Sequence, residues 1–509
     1  MPMASKRLFG IIYMSTTKLE LMIVDLKTHD VLERTSSANF VQTADKSKIY
    51  QHELEKIVFS LNGFVQIMKE YGVTKHKFWV SQQLIDDVTA RYLSEQIFVR
   101  TGLTVHWLNT SQINYYRALS LIGHTRTFST FEGKTAYLLY IGSAAVTLFH
   151  FHKQKFVQAW NIGLGYLELD ALAQALRTNA NDPNEIIDDY IASKLDYLKE
   201  ELVLKKAKNT VLILQDNSAL NNLYLAPEKR LDLMSLENFK SELDGAVDAS
   251  PQYLLKRYQI EESLVDRVVP SFLITRRLLR YTQASSIYLT RLNIMDGLAI
   301  QSGVDIGYNK HDYQNIILTS AENIARVYIR EEAHRYMVTE FALYFFDRLK
   351  KIHRLGNRER LLLSVAATIA DIGNAISQHS HYHHSAYIME ANPLIGLSDK
   401  ENRIIAEIAR YHSAEAPEVE EPRYRHLDPV IQMPIAKLVA ILRLADALDD
   451  SHQQKISSLS LSLKENEAII TAYSTQDLAL EKWAFDRKAP LFQEVYGLKP
   501  VLKQRRTSK

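Results

Sequence analysis

The feature that most constrains this fold is a strand–turn–strand opening used twice. RLFGIIYM and KLELMIVDL flank a short polar break near the start of the chain. Further on, TAYLLYIG and AVTLFHFHKQKFVQAW flank a turn of small residues. Apolar, β-rich runs separated by so few polar residues predict hairpins. Behind the first opening come an amphipathic helical stretch, IYQHELEKIVFSLNGFVQIMKEYG, a strand KFWVS, a helix through ARYLSEQIFVRTG and a strand TVHWLN. Behind the second come the core strand TVLILQDN, the helical VDRVVPSFLITRRLLRY and the strand SIYLTRL. Tyr13 and the nine residues after it run in parallel with Tyr140 and the nine after it, so one α/β unit is used twice, at a period too long for a solenoid. Two such lobes side by side form a cleft, and clefts between domains are where ligands usually sit.

After about residue 310 the periodicity changes. IARVYIREEAHRYMVTEFALYFFDRLKKIHRL, RERLLLSVAATIADIG, KENRIIAEIARYH and PIAKLVAILRLADALDD carry apolar residues three and four apart, which predicts an all-helical domain. SAEAPEVEEPRYRHLDP is polar and proline-containing and reads as a loop, whereas KISSLSLSLKENEAIITAYS alternates as strands do. A chain of 509 residues is too long for one core and suggests about three domains of roughly 150 residues. The expected division is 1–125, 126–308 and 309–509.

A formal net charge of +2 gives no global field for nucleic acid or a membrane surface, so neither partner is expected. No cysteine is present, which excludes disulfides, thiolate metal sites and a cysteine nucleophile. No apolar run of signal-peptide or membrane-span length is visible, and a cytoplasmic protein is expected. The basic end, LKQRRTSK, reads as a solvated tail.

In TIADIGNAISQHSHYHHSAYIM, Asp371 precedes His379, His381, His383 and His384. Imidazole plus carboxylate suits a metal, but HSHYHH alone reads more simply as a solvated loop with adventitious metal affinity.

Along nearly its whole length the chain resembles the exopolyphosphatase and guanosine-pentaphosphate phosphatase (Ppx/GppA) family. The resemblance is carried by VVPSFLITRRLLRYTQASSIYLTRLNIMDGLAIQ, HRLGNRERLLLSVAATIADIGNAIS, HHSAYIM, GLSDKENRIIAEIARYH and ILRLADALDDSH. It implies α/β plus all-α architecture: two actin/Hsp70-like (ASKHA) lobes followed by an HD-type helical domain. It also implies polyphosphate or guanosine polyphosphate as ligand, magnesium or manganese as cofactor, and a homodimer or an active paralogue as partner.

The motifs that carry the family's chemistry are altered. Where members open with an Asp-x-Gly-Ser-Asn-like turn, this chain reads Tyr13, Met14, Ser15, Thr16, Thr17. Where the second lobe should open with Asp-x-Gly-Gly-Gly-Ser-Thr-Glu, it reads Tyr140, Ile141, Gly142, Ser143, Ala144, Ala145, Val146, Thr147. The family's Ser-Gly-Glu-Glu stretch falls on Asn109, Thr110, Ser111 and Gln112, and its later Gly-Gly turn on Gln215 to Ser218. Neither an acidic pair nor a glycine pair remains at these turns. Backbone amides hold a phosphate chain only where glycines let the chain approach, and a divalent cation needs carboxylate oxygens. Ser111, Gln112 and Thr147 mark the catalytic positions and cannot take a proton at neutral pH.

Ser15, Thr16, Thr17, Lys18, Gly142 and Ser143 remain as anion-binding candidates, or as ordinary turn residues, and Gly163 and Gly165 as glycines of a turn before a helix. The nearest spare carboxylates are Glu20, Asp86, Asp87 and Glu168. The expected metal positions of the helical domain fall on His353, Asp371, His384, His412 and Asp446, with Asp449 near Asp446 on one face. The histidine that should precede Asp371 is Ala370, so these residues either hold a metal or hydrogen-bond across helices. Three functions therefore stand open: a binding or regulatory protein with a degenerate hydrolytic site, an exopolyphosphatase using substitute residues, and an HD-domain metal-dependent phosphohydrolase.

Overall fold

The computed structural model describes residues 7–15, 18–38, 51–82, 85–176, 182–203, 209–329, 331–418 and 421–506. The chain divides into two compact units, Met1–Tyr313 and Gln314–Lys509.

The first unit contains two mixed sheets. In the first, β1 (Leu8–Met14), β2 (Lys18–Asp25), β3 (Val31–Ala38), β4 (Lys75–Ser81) and β5 (Val105–Leu108) lie in the order β3-β2-β1-β4-β5. The β1–β2 and β2–β3 pairs are antiparallel, and β1–β4 and β4–β5 are parallel. The second sheet comprises β6 (Thr135–Ile141), β7 (Val146–His152), β8 (Lys155–Ile162), β9 (Thr210–Gln215), β10 (Leu231–Met234) and β11 (Ser286–Thr290). Its order is β10-β11-β9-β6-β7-β8. Read from β8 to β11 it repeats the first sheet strand for strand and direction for direction, with β10 added antiparallel at the edge.

Central strands buried on both faces read as continuous apolar runs. In β1 every residue from Phe9 to Met14 is buried, as is every residue of β9, which is why these segments were legible as strands. Each fully buried Ile or Leu in them contributes about 1.5–3 kcal/mol of hydrophobic stabilisation. The lobes meet along the Thr110–Ile122 and Ile294–Ile306 helices, where Ile113, Ile294, Met295 and Leu298 join Ile11 and Met22 in one apolar cluster.

The second unit is built on the helices Asn315–Tyr328, Glu332–Arg348, Asn357–Ile369, His381–Ala391, Asp399–Tyr411, Pro429–Ala447 and Ala479–Tyr496. It ends in a three-stranded sheet of β12 (Ser458–Lys464), β13 (Glu467–Ser474) and β14 (Lys499–Arg506). Two sequence expectations are corrected here. LKQRRTSK is not a tail as far as Arg506: it lies in β14, parallel to β13, with Pro500 and Leu502 buried while Lys503, Gln504, Arg505 and Arg506 face solvent. HYHH is not a loop but the first turn of the His381–Ala391 helix. Among the described residues no helix is long and apolar enough to cross a membrane.

Candidate functional site

Both hairpin openings and the end of β9 line a cavity of about 470 Å³ between the lobes. Its centre is Arg117, from the middle of the Thr110–Ile122 helix. Ile113 and Leu121, one turn before and one turn after it, are buried, so Arg117 lies on an apolar stripe and is itself only 5% exposed. Its guanidinium carbon lies 3.1 Å from the Tyr140 ring centroid, and Nη1 reaches Asp216 Oδ2 at 2.9 Å and Gln215 Oε1 at 3.4 Å. Asp216 presents its carboxylate from a left-handed backbone with φ of 59°, a conformation that Asp tolerates better than most residues.

Tyr13, Tyr140 and Arg117 line this cavity and also a smaller one of about 50 Å³ against the Gly142–Ala145 turn. Burial raises the Tyr13 and Tyr140 hydroxyls above the usual phenol value, against the pull of Arg117, so both stay neutral. Arg117 stays charged: burial opposes its charge, but Tyr140 and Asp216 favour it.

A divalent cation does not fit here. The two positions that should anchor it are phenols, and a fixed guanidinium already stacks on one of them, Tyr140, and holds Asp216. Acidic groups nevertheless stand beside the altered turns. Glu20, one of the spare carboxylates, and Asp216, a turn residue the motif comparison did not single out, both line the cavity. Burial raises the Glu20 carboxyl, while Arg34 and Lys18 pull the other way. Lys18, Arg34, Arg117, Arg267 and Arg291 face these two acids, so the cavity wall is net cationic among the described residues.

Ser15, Lys18, Gly142 and Ser143 all line the cavity, while Thr16 and Thr17 lie outside the described residues. The two turns are closed on themselves. Ser15 N–H donates to Lys18 O at 2.8 Å, and Gly142 N–H to Ala145 O at 2.8 Å. A Cβ at Gly165 would strike Ser143 O and Ala144 C, so that glycine is required by close backbone approach, whereas Gly163 has open space around it.

The residues at the expected catalytic positions have structural partners. Gln112 closes a capping box with Asn109: Gln112 N–H donates to Asn109 Oδ1 at 2.9 Å and Gln112 Oε1 accepts from Asn109 N–H at 3.2 Å. Ser111 lies beside it in the same helix turn. Thr147 is buried, with Oγ1 at 3.1 Å from Asn161 Oδ1 and 3.3 Å from Asn114 Oδ1. Of the spare carboxylates, Asp86 caps the Asp87–Thr101 helix, Asp87 accepts from Gln82 at 3.0 Å, and Glu168 accepts from Tyr190.

In the second unit, Asp371, His412 and Asp446 come together and His353 and His384 do not. His353 is buried with both ring nitrogens occupied locally, Nε2 donating to Phe346 O at 2.8 Å and Nδ1 accepting from Leu355 N–H at 2.8 Å. His384 lies half-buried in the first turn of its helix and belongs to neither convergent group. Two other histidines take their places. His334, from the Glu332–Arg348 helix, lies 3.4 Å from Asp446 Oδ1 and 3.6 Å from Asp371 Oδ2 through Nε2. His381 Nε2 lies 3.3 Å from Asp371 Oδ1.

A signal for each was present in the sequence. His334, Val338 and Phe341 are spaced as one buried helix stripe, and the half-buried His381 shares a helix face with the buried Ser385 and Ile388. The Asp371 turn is pinned to the His381 helix by Ser385, whose hydroxyl accepts from Gly373 N–H at 2.9 Å and donates to Ala370 O at 2.6 Å. A Cβ at Gly373 would strike His381 O, so only glycine lets the two segments meet this closely.

Burial disfavours charge on His334, but hydrogen bonds to Asp446 and Asp449 push it up to about 10. Burial likewise opposes charge on Asp371, but His381 and His412 hold its carboxyl well below the usual range. Lys488 pairs with Asp446 Oδ2. This set of imidazoles and carboxylates fits a divalent transition metal.

Residues 316–488 match the family model of the Ppx/GppA phosphatase, domain III. The helical unit thus carries a domain of the Ppx/GppA family. An exopolyphosphatase from Cytophaga hutchinsonii has the same fold, with a TM-score of 0.51 and 16% identity over 58% of this chain and 98% of that one. The Aquifex aeolicus Ppx/GppA family member superposes with a TM-score of 0.49 and 12% identity over 59% of this chain and 99% of that one. A segment amounting to 38% of this chain is also 26% identical over 208 residues to an arginine–tRNA ligase of Buchnera aphidicola subsp. Schizaphis graminum. That match spans 31% of the ligase.

Proposed function

We propose that this chain is an exopolyphosphatase-like protein that binds polyphosphate or a guanosine polyphosphate between its two actin-like lobes, with phosphohydrolase activity impaired or lost. It then serves as a binding or regulatory subunit, as a homodimer or beside an active paralogue. The observation that carries this reading is Arg117, a buried guanidinium stacked on Tyr140 in the cavity that Tyr13 also lines, where family members are expected to bring carboxylates to a cation. A net cationic wall favours a polyanion. Lys18 adds a further cationic donor at the cavity wall, beside the Gly142 turn. Gln112 offers an amide and Thr147 a buried hydroxyl, and neither is a general base.

The test is a panel of long-chain polyphosphate, guanosine tetraphosphate and ATP, each with magnesium, manganese or EDTA, read for binding and for released phosphate. Binding without metal-dependent release is expected. Robust metal-dependent phosphate release from polyphosphate would overturn the loss of activity.

One observation favours a second reading, an active exopolyphosphatase with a substitute base. Of the spare carboxylates, Glu20 alone lines the cavity, and its raised pKa suits proton transfer. On that reading Glu20→Gln abolishes turnover and leaves folding intact. The helical unit we read as HD-type, supported by the meeting of Asp371, His412 and Asp446.

A further inference from the structure

The basic end of the chain, read from sequence as a tail, is one strand of an open sheet. In the order β12-β13-β14, β14 is an edge. Side chains alternate across a sheet, and the register sorts this one into two faces. Ala468, Ile470, Ala472, Pro500 and Leu502 turn one way and are buried. The other face carries Lys464 of β12, Glu467 and Tyr473 of β13, and Lys499, Lys503 and Arg505 of β14. All four of these cations are exposed.

Charge is unevenly spread over this outer face. Glu467 stands opposite both Lys464 and Lys499 at one end. The remaining rows hold no acid: Ile469 lies between Ser462 and Val501, Thr471 between Ser460 and Lys503, and Tyr473 between Ser458 and Arg505. The Arg505 guanidinium carbon lies 5.8 Å from the Tyr473 ring centroid. Ser460 and Arg505 also hold the Tyr473 hydroxyl and draw it below the usual phenol value. The ring is thereby fixed in an acid-free, cationic row. The whole chain carries only +2, so this positive field is local.

Lysines on an edge strand also discourage pairing with another sheet. That role requires neither an arginine against an aromatic ring nor acid-free rows. Cations and a fixed aromatic ring on an open sheet meet both needs of a single-stranded nucleic acid, charge for its phosphates and a π-face for a base. Lys503 and Arg505, two residues apart, stand about 6.6 Å apart along the strand. A sugar separates successive phosphates in a nucleic acid, which suits that spacing. Inorganic polyphosphate carries its charges more densely and has no base to stack. We propose that the outer face of the β12–β14 sheet binds single-stranded nucleic acid, with phosphates along Lys499, Lys503 and Arg505 and a base on Tyr473. The inference goes beyond the binding function of the cleft and stands independently of it.

The full chain, in EDTA, is titrated with a fluorescein-labelled oligouridylate of about 12 nucleotides and read by fluorescence anisotropy at several salt concentrations. Binding is expected, with log K falling against log salt at a slope of about −2 for three phosphate contacts. Lys503→Gln combined with Arg505→Gln should weaken it about tenfold and flatten the slope by about 1.4. Tyr473→Leu should weaken it about tenfold and keep the slope, whereas Tyr473→Phe should retain the affinity. Lys240→Gln, at an exposed lysine of the first unit, should change nothing. Long-chain polyphosphate is the second ligand, and its affinity should not respond to Tyr473→Leu. No binding of oligouridylate at low salt overturns the proposal. So does binding that the double substitution leaves intact, which places the nucleic acid elsewhere. Full affinity in Tyr473→Leu also overturns it and makes the face a bare polyanion surface. Circular dichroism checks the fold of each variant, and the double substitution, confined to solvent-facing side chains, decides the matter if Tyr473→Leu unfolds.

Discussion

The cleft of the first unit and the histidine–aspartate cluster of the second answer the same electrostatic problem differently. In the cleft, the cation is part of the chain. Arg117 is buried, stacked on Tyr140 and paired with Asp216, and it leaves a net positive wall. In the cluster, imidazoles and carboxylates converge from five segments, and the internal cation Lys488 pairs with Oδ2 of Asp446. The first arrangement suits an anion without a metal, and the second suits a metal. What separates them is the kind of group that faces each carboxylate, a fixed guanidinium in the cleft and imidazoles in the cluster, which a count of acidic residues does not reveal.

Four measurements can break or sharpen this contrast, taken from the largest effect to the smallest. Arg117→Met removes the internal cation. It should cost about 3 kcal/mol of unfolding free energy for the first unit, the low end for a broken buried pair because Asp216 is 36% exposed. Urea unfolding reads this directly, and Arg117→Met with Asp216→Asn should recover part of the loss. An unchanged midpoint would mean that the guanidinium holds nothing together.

Manganese at about a hundred times its Kd should stabilise the helical unit by about 2.7 kcal/mol and leave the first unit unchanged. Hydrogen exchange in the Asn357–Ile369 helix and in β9 reports the two separately. Protection gained in β9 alone would invert the contrast.

Polyphosphate affinity should rise as pH falls through the raised pKa of Glu20. Protonation there removes a negative charge from the cavity wall, worth about 1 kcal/mol or roughly fivefold in Kd. The folded carboxyl keeps its proton at pH values where the unfolded chain has lost it. The Glu20 contribution to stability is therefore fully present below the unfolded value and is lost as pH rises through the folded one. In Glu20→Gln the affinity step should vanish, and a step that persists would place the titrating group elsewhere. Lys18→Gln should weaken polyphosphate binding by about 0.5 kcal/mol and flatten its salt dependence, since a charge at the cavity rim is well screened. Isothermal titration at two salt concentrations checks this, and a loss of all binding would move Lys18 from rim to anchor.

Much of the fold was legible because burial leaves a periodic trace. β1 and β9 are apolar throughout, and the helices of the second unit carry stripes three and four residues apart. β14 was missed because only Pro500 and Leu502 turn inward and the other residues read as a charged tail. At the sites, Asp371, His412 and Asp446 were found through local wording. His353 was taken in place of His334 because nothing local shows that backbone groups already use both nitrogens of His353. Arg117 was overlooked because an arginine on an apolar helix stripe has no meaning until Asp216 and Tyr140 arrive from the other lobe.

By itself the sequence determined the duplicated sheet unit, the helical second half and the loss of glycines and carboxylates at the expected turns. These follow from periodicity and residue type, which are properties of short segments. Tertiary structure alone decided which groups meet: Arg117 with Tyr140 and Asp216, and both oxygens of Asp371 with histidines from three different helices. A charge or a lone pair acts only over a few ångströms, and residues distant in sequence come within that range only when the chain has folded.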